Sequence, residues 1–435
     1  MQGAGNLPAP CDEALLRREN PVKENKKMHY AWLVLLGLCA PQFFTFALQY
    51  NTASLYLPYV TADLGFSVPS MALYFTTHGL IMAAATVIVP RILSKINVKT
   101  MLITGEVVLC LCVIAESFFT SIWHWYLMSV ITGICCACVQ ILTPLLIINN
   151  WFVKKNGLAT GIFWLANGLG GAVFSPVVNS LLNSVGWRQT YLIAGCLALL
   201  GPVIVLLFVR FQPADKGLMP YGHEETAVSV SDTENSLVYG PAEREALKSG
   251  IVVLTVISAG TITILGSFQS MMSTYASYVD MLAIAGTLLS CFNIGYSIAN
   301  FLLPTLADKL RTMKTASIGL ISGILAAILF LMTKTTNSST MLLTGGVLFG
   351  VTTATMGLFP IMVREVYGTR EFAKLFSYHT ITQTLVGSVC ITVYSLVMEK
   401  LGVSAAMYLV IVAAMIAWVT LFVAIKSSKK KFQLQ

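Results

Sequence analysis

Charge is what this sequence has least of. Charged residues make up 11% of the 435-residue chain, against roughly 25% in soluble domains, too few to keep a chain of this length in water. The alternation of apolar and polar residues that marks a membrane β-barrel is also missing. No GxxxxGK loop is present, which removes an ATP-driven mechanism. No triad, metal-ligand cluster or exposed nucleophile marks an enzyme, and no cofactor or metal is expected. The first 28 residues carry Arg17, Arg18, Lys23, Lys26 and Lys27 and run into a long apolar segment without a small-residue cleavage pattern. They therefore precede an uncleaved membrane helix and do not form a secretory signal. All ten cysteines except Cys11 fall in apolar segments. Cys135, Cys136 and Cys138 share one helix with no adjacent His, so they read as buried thiols.

What is abundant is apolar surface. The chain is 56% hydrophobic with mean hydropathy +0.77, and a helix needs about 20 mostly apolar residues to cross a bilayer. Apolar runs lie near 30–59, 70–90, 99–119, 124–150, 157–184 and 189–210, then near 250–278, 283–304, 314–333, 341–364, 371–398 and 403–425. The sequence thus predicts an all-α membrane protein of twelve spans in two six-helix bundles, 30–210 and 250–425. The flanks are an N-terminal tail (1–29), a polar connector (211–249) with Pro213, Pro220 and Pro241, and a basic tail (426–435). Basic residues gather in cytoplasmic loops. With the N-terminus inside, only Arg188, Lys334 and Lys400 of the 27 Lys and Arg fall on the outer side. Both termini are therefore expected in the cytoplasm, and the net charge of +8 reflects this topology and not nucleic-acid binding.

The two halves resemble each other. Each has a basic turn after its second helix, PRILSKINVKT at 90–100 and PTLADKLRTMKT at 304–315. The second turn resembles the loop signature of the major facilitator superfamily, with Asp308, Lys309, Arg311 and Lys314 in its acidic and basic places. In the first, Ser94 replaces the Asp. The resemblance implies that these residues act as a gate or latch on the cytoplasmic side. Residues 149–176, NNWFVKKNGLATGIFWLANGLGGAVFSP, are similar to the helix-5 signature of the monocarboxylate and oxalate/formate branch. Gly157, Gly161, Gly168, Gly170 and Gly171 lower helix propensity, a cost that close helix packing offsets. The resemblance implies alternating access, in which the two bundles rock about a site near the bilayer midplane.

Carboxylate carriers of that branch hold the anion with an Arg in helix 8 and, in the oxalate/formate group, a Lys in helix 11. Here those places hold Asn300 and Gln383. A carboxylate at low dielectric without a paired charge costs several kcal/mol, so the expected substrate is neutral, weakly charged or aromatic, or an anion held by hydrogen bonds. Polar residues inside spans mark candidate pathways. They are Gln42, Gln49, Tyr50 and Asn51 in helix 1, Gln140 in helix 4, Trp164 and Asn167 in helix 5, Gln269 in helix 7, Asn300 in helix 8, and His379 and Gln383 in helix 11. Coupling to protons needs a group that titrates as access alternates. Glu106, deep in helix 3, is the preferred relay over Glu116 near the outer end, and His78 and His379 are the remaining ionisable groups.

These features predict a secondary active transporter of a small organic metabolite, coupled to protons or to exchange, monomeric in a plasma membrane such as the bacterial inner membrane. Drug efflux is the second reading, weakened by Ser129 where such carriers place a buried Arg in helix 4. A ligand sensor without transport is the third, and the short connector leaves no room for a signalling domain.

Overall fold

The computed structural model describes residues 29–93, 97–222 and 240–432, without the side chains of 90–93, 141, 142, 308 and 373. Expectations placed on residues 1–28, on Ser94 and Lys95, on the middle of the connector and on the Asp308 carboxylate lie outside the described residues.

Twelve helices long and apolar enough to span a membrane lie among the described residues. Helices 1–6 are Tyr30–Leu64, Val68–Val89, Val98–Glu116, Ile122–Trp151, Asn156–Val185 and Trp187–Phe208. Helices 7–12 are Ile251–Tyr278, Leu282–Ala307, Thr312–Thr336, Ser339–Tyr367, Lys374–Leu401 and Val403–Phe432. An even number of spans returns helix 12 to the face where helix 1 began. We call this the terminal face and the other the distal face. Helix 12 runs on through Lys426, Lys429, Lys430 and Lys431 to Phe432, so part of the expected basic tail is helical, as cations near a helix C-terminus favour.

Local sequence sets the joints. Asn97 accepts from the backbone amides of Lys99 (3.0 Å) and Thr100 (3.3 Å), capping the start of helix 3. Gly65 closes helix 1 with φ +68°, a left-handed turn that suits glycine. The first six helices bury Tyr56, Trp125, Trp151 and Phe163. The last six enclose an aromatic cluster in which Phe268 lies 5.1 Å from Phe349 and Tyr275 lies 4.9 Å from Phe330.

Four helices carry a π-wound or 3-10 segment in mid-span, whereas helix 6 is broken by a turn at Leu199. Helix 1 is π-wound over Gln42–Asn51 and helix 4 over Ala137–Leu142. Helix 7 tightens to 3-10 geometry at Phe268–Met271 and helix 10 at Thr355–Leu358. Helices 1, 4, 7 and 10 each open a three-helix unit, so the interruptions recur once in every repeat. Such segments within long helices concentrate at functional sites, and discontinuous helices mark the binding region of carriers.

Three prolines explain part of the cross-linking between helices. Proline has no N–H, so the carbonyl four residues earlier loses its helical donor. Pro144 frees the Gln140 carbonyl, which accepts from Gln42 Nε2 at 2.9 Å. Pro202 frees that of Ala198, which accepts from Thr45 Oγ1 at 3.2 Å. Pro176 frees that of Ala172, which accepts from Ser290 Oγ of helix 8 at 2.7 Å. In each case a side chain from another helix satisfies a backbone group that lipid could not.

Candidate functional site

The first half encloses a continuous chain of polar side chains. Gln140 Nε2 donates to both oxygens of Glu106, at 3.1 and 3.3 Å. Gln42 Nε2 donates to Gln140 Oε1 at 3.2 Å, and Asn167 Nδ2 donates to Gln42 Oε1 at 2.8 Å. Asn51 Nδ2 completes the chain on Asn167 Oδ1 (3.2 Å) and its carbonyl (3.1 Å). All five residues are buried, so helices 3, 4, 1 and 5 are joined by groups that would be costly if left unpaired. The π winding makes this possible. Gln42 and Asn51 are nine residues apart, which in an α-helix is two and a half turns and opposite faces. Looser i→i+5 winding lets both meet Asn167.

Of the expected binding residues, Asn51, Gln140 and Asn167 thus bond to one another and to Glu106. Gln42, which the sequence marked only as polar, is the central link. Tyr50 is 43% exposed, with its ring 5.1 Å from Phe46 and 6.2 Å from His78. Trp164 is half-buried beside Phe163 at 5.2 Å. Asn300 is half-buried next to Tyr296, with Oδ1 3.0 Å from where a Cβ on Gly357 would stand. Gln269 lies in the 3-10 turn of helix 7. Like Gln383 it is half-buried. Gln49 lies within the first half, its Oε1 buried without a partner. His379 does not share the half-open environment of Gln383. It is buried, its Nδ1 sits 2.7 Å from the Leu375 carbonyl, and its ring lies 6.3 Å from Phe359 and 6.4 Å from Tyr367.

The halves meet toward the distal face. Ser54 and Ser273 hydroxyls are 3.3 Å apart, joining helices 1 and 7. Thr76 donates to the Ser388 carbonyl and lies against the Thr392 hydroxyl, both at 2.7 Å, joining helices 2 and 11. Helix 5 meets helix 8 through Asn179 Nδ2 on the Ala283 carbonyl at 2.7 Å. Gly168 and Gly171 belong to this contact, since a Cβ there would fall 1.8 Å from Ser297 Oγ and 2.6 Å from Asn293 Oδ1.

Gly157 and Gly161 differ from the expectation of tight packing. Gly161 is two turns from Gly168 on the same helical stripe, yet nothing lies within 4 Å of a Cβ on either Gly157 or Gly161. The stripe is therefore in contact at its distal end and free at its terminal end. Gly170 is different again. A Cβ there would lie 2.4 Å from the Phe43 carbonyl oxygen and 2.7 Å from Ala47 Cβ, so it fixes helix 5 against helix 1. Gly170→Val is expected to destabilise the protein by about 1–3 kcal/mol through overpacking. Gly161→Ala is expected to stabilise it by about 0.5–1 kcal/mol through helix propensity. Melting of the detergent-purified variants measures both, and equal effects would contradict the open terminal half.

On the terminal face, Arg311 lines a cavity of about 750 Å³ with Arg364, Glu365 and Lys429. Arg311 has φ +70° at the junction of helices 8 and 9. Lys309 and Lys314 are exposed on the same turn. The connector is tied here too. Glu243 accepts from Tyr378 at 2.9 Å and pairs with Lys374 at 3.4 Å. No signal in the sequence announces that tie, because Glu243 sits in a polar connector like any solvated residue.

Two helical bundles closed at one face, with interrupted helices around their seam, define the class of multi-pass membrane carriers. The family model of the Major Facilitator Superfamily matches residues 39–282 and 251–434, and the chain belongs to that family. Its relatives are transporters, not enzymes. The chain is 23% identical over 368 residues to the uncharacterized MFS-type transporter YhjX of Escherichia coli, covering 82% of this chain and 86% of that one. It is 29% identical over 109 residues to human monocarboxylate transporter 2, covering 25% and 23%. A segment of 173 residues is 22% identical to the phosphoglycerate transporter protein of Salmonella typhimurium, covering 39% and 37%. Among solved structures, a bacterial homolog of the human lysosomal transporter Spinster, inward-facing and unoccupied, superposes with a TM-score of 0.70 at 14% identity, covering 93% and 98%. The nucleoside transporter NupG gives 0.64 at 14%, covering 92% and 99%. The protein is a membrane transporter of small molecules.

Proposed function

We propose that the chain is a secondary active transporter that moves a small organic metabolite by alternating access, coupled to protons or to exchange. The observation that carries this reading is the glycine stripe of helix 5, in contact with helix 8 at Gly168 and Gly171 and free at Gly157 and Gly161. A single rocking motion that closes the terminal half would bring the second pair into contact. The two bundles span 30–210 and 250–425 and are joined by the connector 211–249. The tails 1–29 and 426–435 lie in the cytoplasm, so the present state opens inward. The membrane is the plasma membrane, by analogy with the Escherichia coli and Salmonella relatives a bacterial inner membrane, and the unit is a monomer.

The substrate is held between Tyr50, Trp164, Gln269, Asn300 and Gln383. Two aromatic rings and three amides suit a neutral, weakly charged or aromatic molecule, with no Lys or Arg among them to pair a carboxylate. Gln140, Asn167, Gln42 and Asn51 stand behind this set and connect it to Glu106, the proton relay. Asp308, Lys309, Arg311 and Lys314 form the latch of the terminal face.

The test begins with a thermal-shift screen of the purified protein against a metabolite library, since a ligand that binds only the folded state raises stability. The first hit is then assayed in proteoliposomes. Glu106→Gln is expected to abolish accumulation driven by a pH gradient while leaving exchange of internal for external substrate. Intact pH-driven accumulation removes Glu106 as the relay. Binding without flux under any imposed gradient removes the transporter reading.

A further inference from the structure

A second carboxyl is enclosed in the distal half of the first bundle, and the relay above does not use it. Glu116 is 4% exposed and its Oε1 accepts from the Tyr74 hydroxyl at 3.0 Å. It lines a small cavity of about 10 Å³ together with Gln49, Tyr56, Tyr74, Trp125 and Tyr191. Three of these residues bring polar atoms that are buried and unpartnered: Gln49 Oε1, the Tyr56 hydroxyl and Trp125 Nε1. The Tyr56 and Tyr191 rings stack at 3.8 Å and wall off one side. Each unpaired group costs about 1–3 kcal/mol, and a cavity of roughly 10–15 Å³ holds one water. The orphans include a donor (Trp125), an acceptor (Gln49) and a hydroxyl that is both. Water satisfies all three kinds at once, whereas a bare metal cation would face the indole N–H.

The charges around the pocket are engaged elsewhere. No Lys, Arg, His or second carboxyl is among its lining residues. Arg188 of helix 6 gives Nη1 to the Ser117 carbonyl at 2.9 Å and lies 4.2 Å from the Trp187 ring. Asp63 of helix 1 accepts from Trp187 Nε1 at 3.0 Å, and His124 of helix 4 packs on Phe119 at 5.4 Å. The groups that face Glu116 are Tyr74 of helix 2, Tyr56 of helix 1, Trp125 of helix 4 and Tyr191 of helix 6, with Cys112 one turn back on its own helix. An uncompensated charge in such a place costs several kcal/mol, and a bound proton removes it.

We propose that this pocket is a hydrated proton-binding site, in which Glu116 carries one proton and one water joins it to Gln49, Tyr56 and Trp125. Gln49 belongs to the π-wound part of helix 1, so the site is linked to the segment that also carries Tyr50. Its role as a second coupling site, loaded from the distal face, rests on the transporter reading. Its existence does not.

Difference infrared spectroscopy of the full-length protein in liposomes reads the site directly and needs no substrate. A protonated-carboxyl C=O band is expected that is lost as pH rises. Glu116→Gln should remove it, whereas Glu106→Gln should retain it. Tyr56→Phe and Trp125→Phe should shift the band by taking partners from the water. If Glu116→Gln does not fold, Tyr74→Phe serves instead, because loss of the hydrogen bond to Oε1 should raise the band frequency. A band unchanged in Glu116→Gln, or unchanged at every pH, overturns the proton site. A band indifferent to Tyr56→Phe and Trp125→Phe overturns the water. Failure on these readouts leaves the transporter reading standing, and absence of flux with the band present removes only that reading.

Discussion

Oxidation of a Ser54→Cys/Ser273→Cys variant is expected to stop flux completely, and a thiol reductant to restore it. The two hydroxyls are 3.3 Å apart across the seam between helices 1 and 7, close enough for disulfide geometry after a small adjustment. Alternating access requires the distal half to part on every cycle, so one covalent tie there holds the protein open to the terminal face. The other contacts of that seam, Thr76 on helix 11 and Asn179 on helix 8, would stay closed with it. The variant is made in a background lacking the native thiols, several of which are only half-buried. Cross-linking is scored by peptide mass, and flux with the screened substrate. Undiminished flux after complete cross-linking would show that transport does not need the distal seam to open.

The largest loss of stability is expected from Gln42→Leu. Gln42 is the central member of the buried chain, donating to Gln140 and accepting from Asn167. Its removal strands the Gln140 carbonyl that Pro144 has already deprived of a helical donor, together with Asn167 Nδ2. Stranded buried groups cost about 1–3 kcal/mol each, so the two together unfold the first bundle well before the wild type. Gln383→Leu is the control. Gln383 is half-buried in the middle of helix 11 and its side chain bonds to none of the described residues, so its loss is expected to cost less than about 0.5 kcal/mol, as for surface positions. Equal melting temperatures for the two variants would mean that the polar chain does not hold helices 1, 4 and 5 together.

The sequence displayed the spans clearly, because length and apolar composition are dictated by bilayer thickness. It also flagged Asn51, Glu106, Gln140 and Asn167 one at a time, since each is polar within an apolar run. What it could not display was their connection. Standard helical arithmetic sets Gln42 and Asn51 on opposite faces, and nothing local to QFFTFALQYN announces a π winding. A signal for part of the network was nonetheless present. Pro144, Pro176 and Pro202 each imply a carbonyl without a donor four residues back, and three side chains of other helices, Gln42, Ser290 and Thr45, are placed to supply one. Glu116 closes helix 3, a position that in sequence reads as close to water. Depth along a helix and enclosure by neighbouring aromatics are different quantities, and only the second governs its environment. Gly157 and Gly161 follow the same logic. Their spacing fits a packing stripe, but whether the stripe is engaged depends on how the two halves lie in a given state.

The distal seam is joined by hydroxyls, amides and glycines, whereas the ion pairs among the described residues, Lys374–Glu243, Lys374–Glu371 and Lys429–Glu365, all lie toward the terminal face. Mobile ions screen exposed charges over about 8 Å at physiological ionic strength but leave buried dipolar contacts almost untouched. The two faces of this protein are therefore different electrolytic surfaces. Raising the salt concentration loosens the connector from helix 11 without prising the distal seam apart, so ionic strength acts on one gate and is nearly silent at the other.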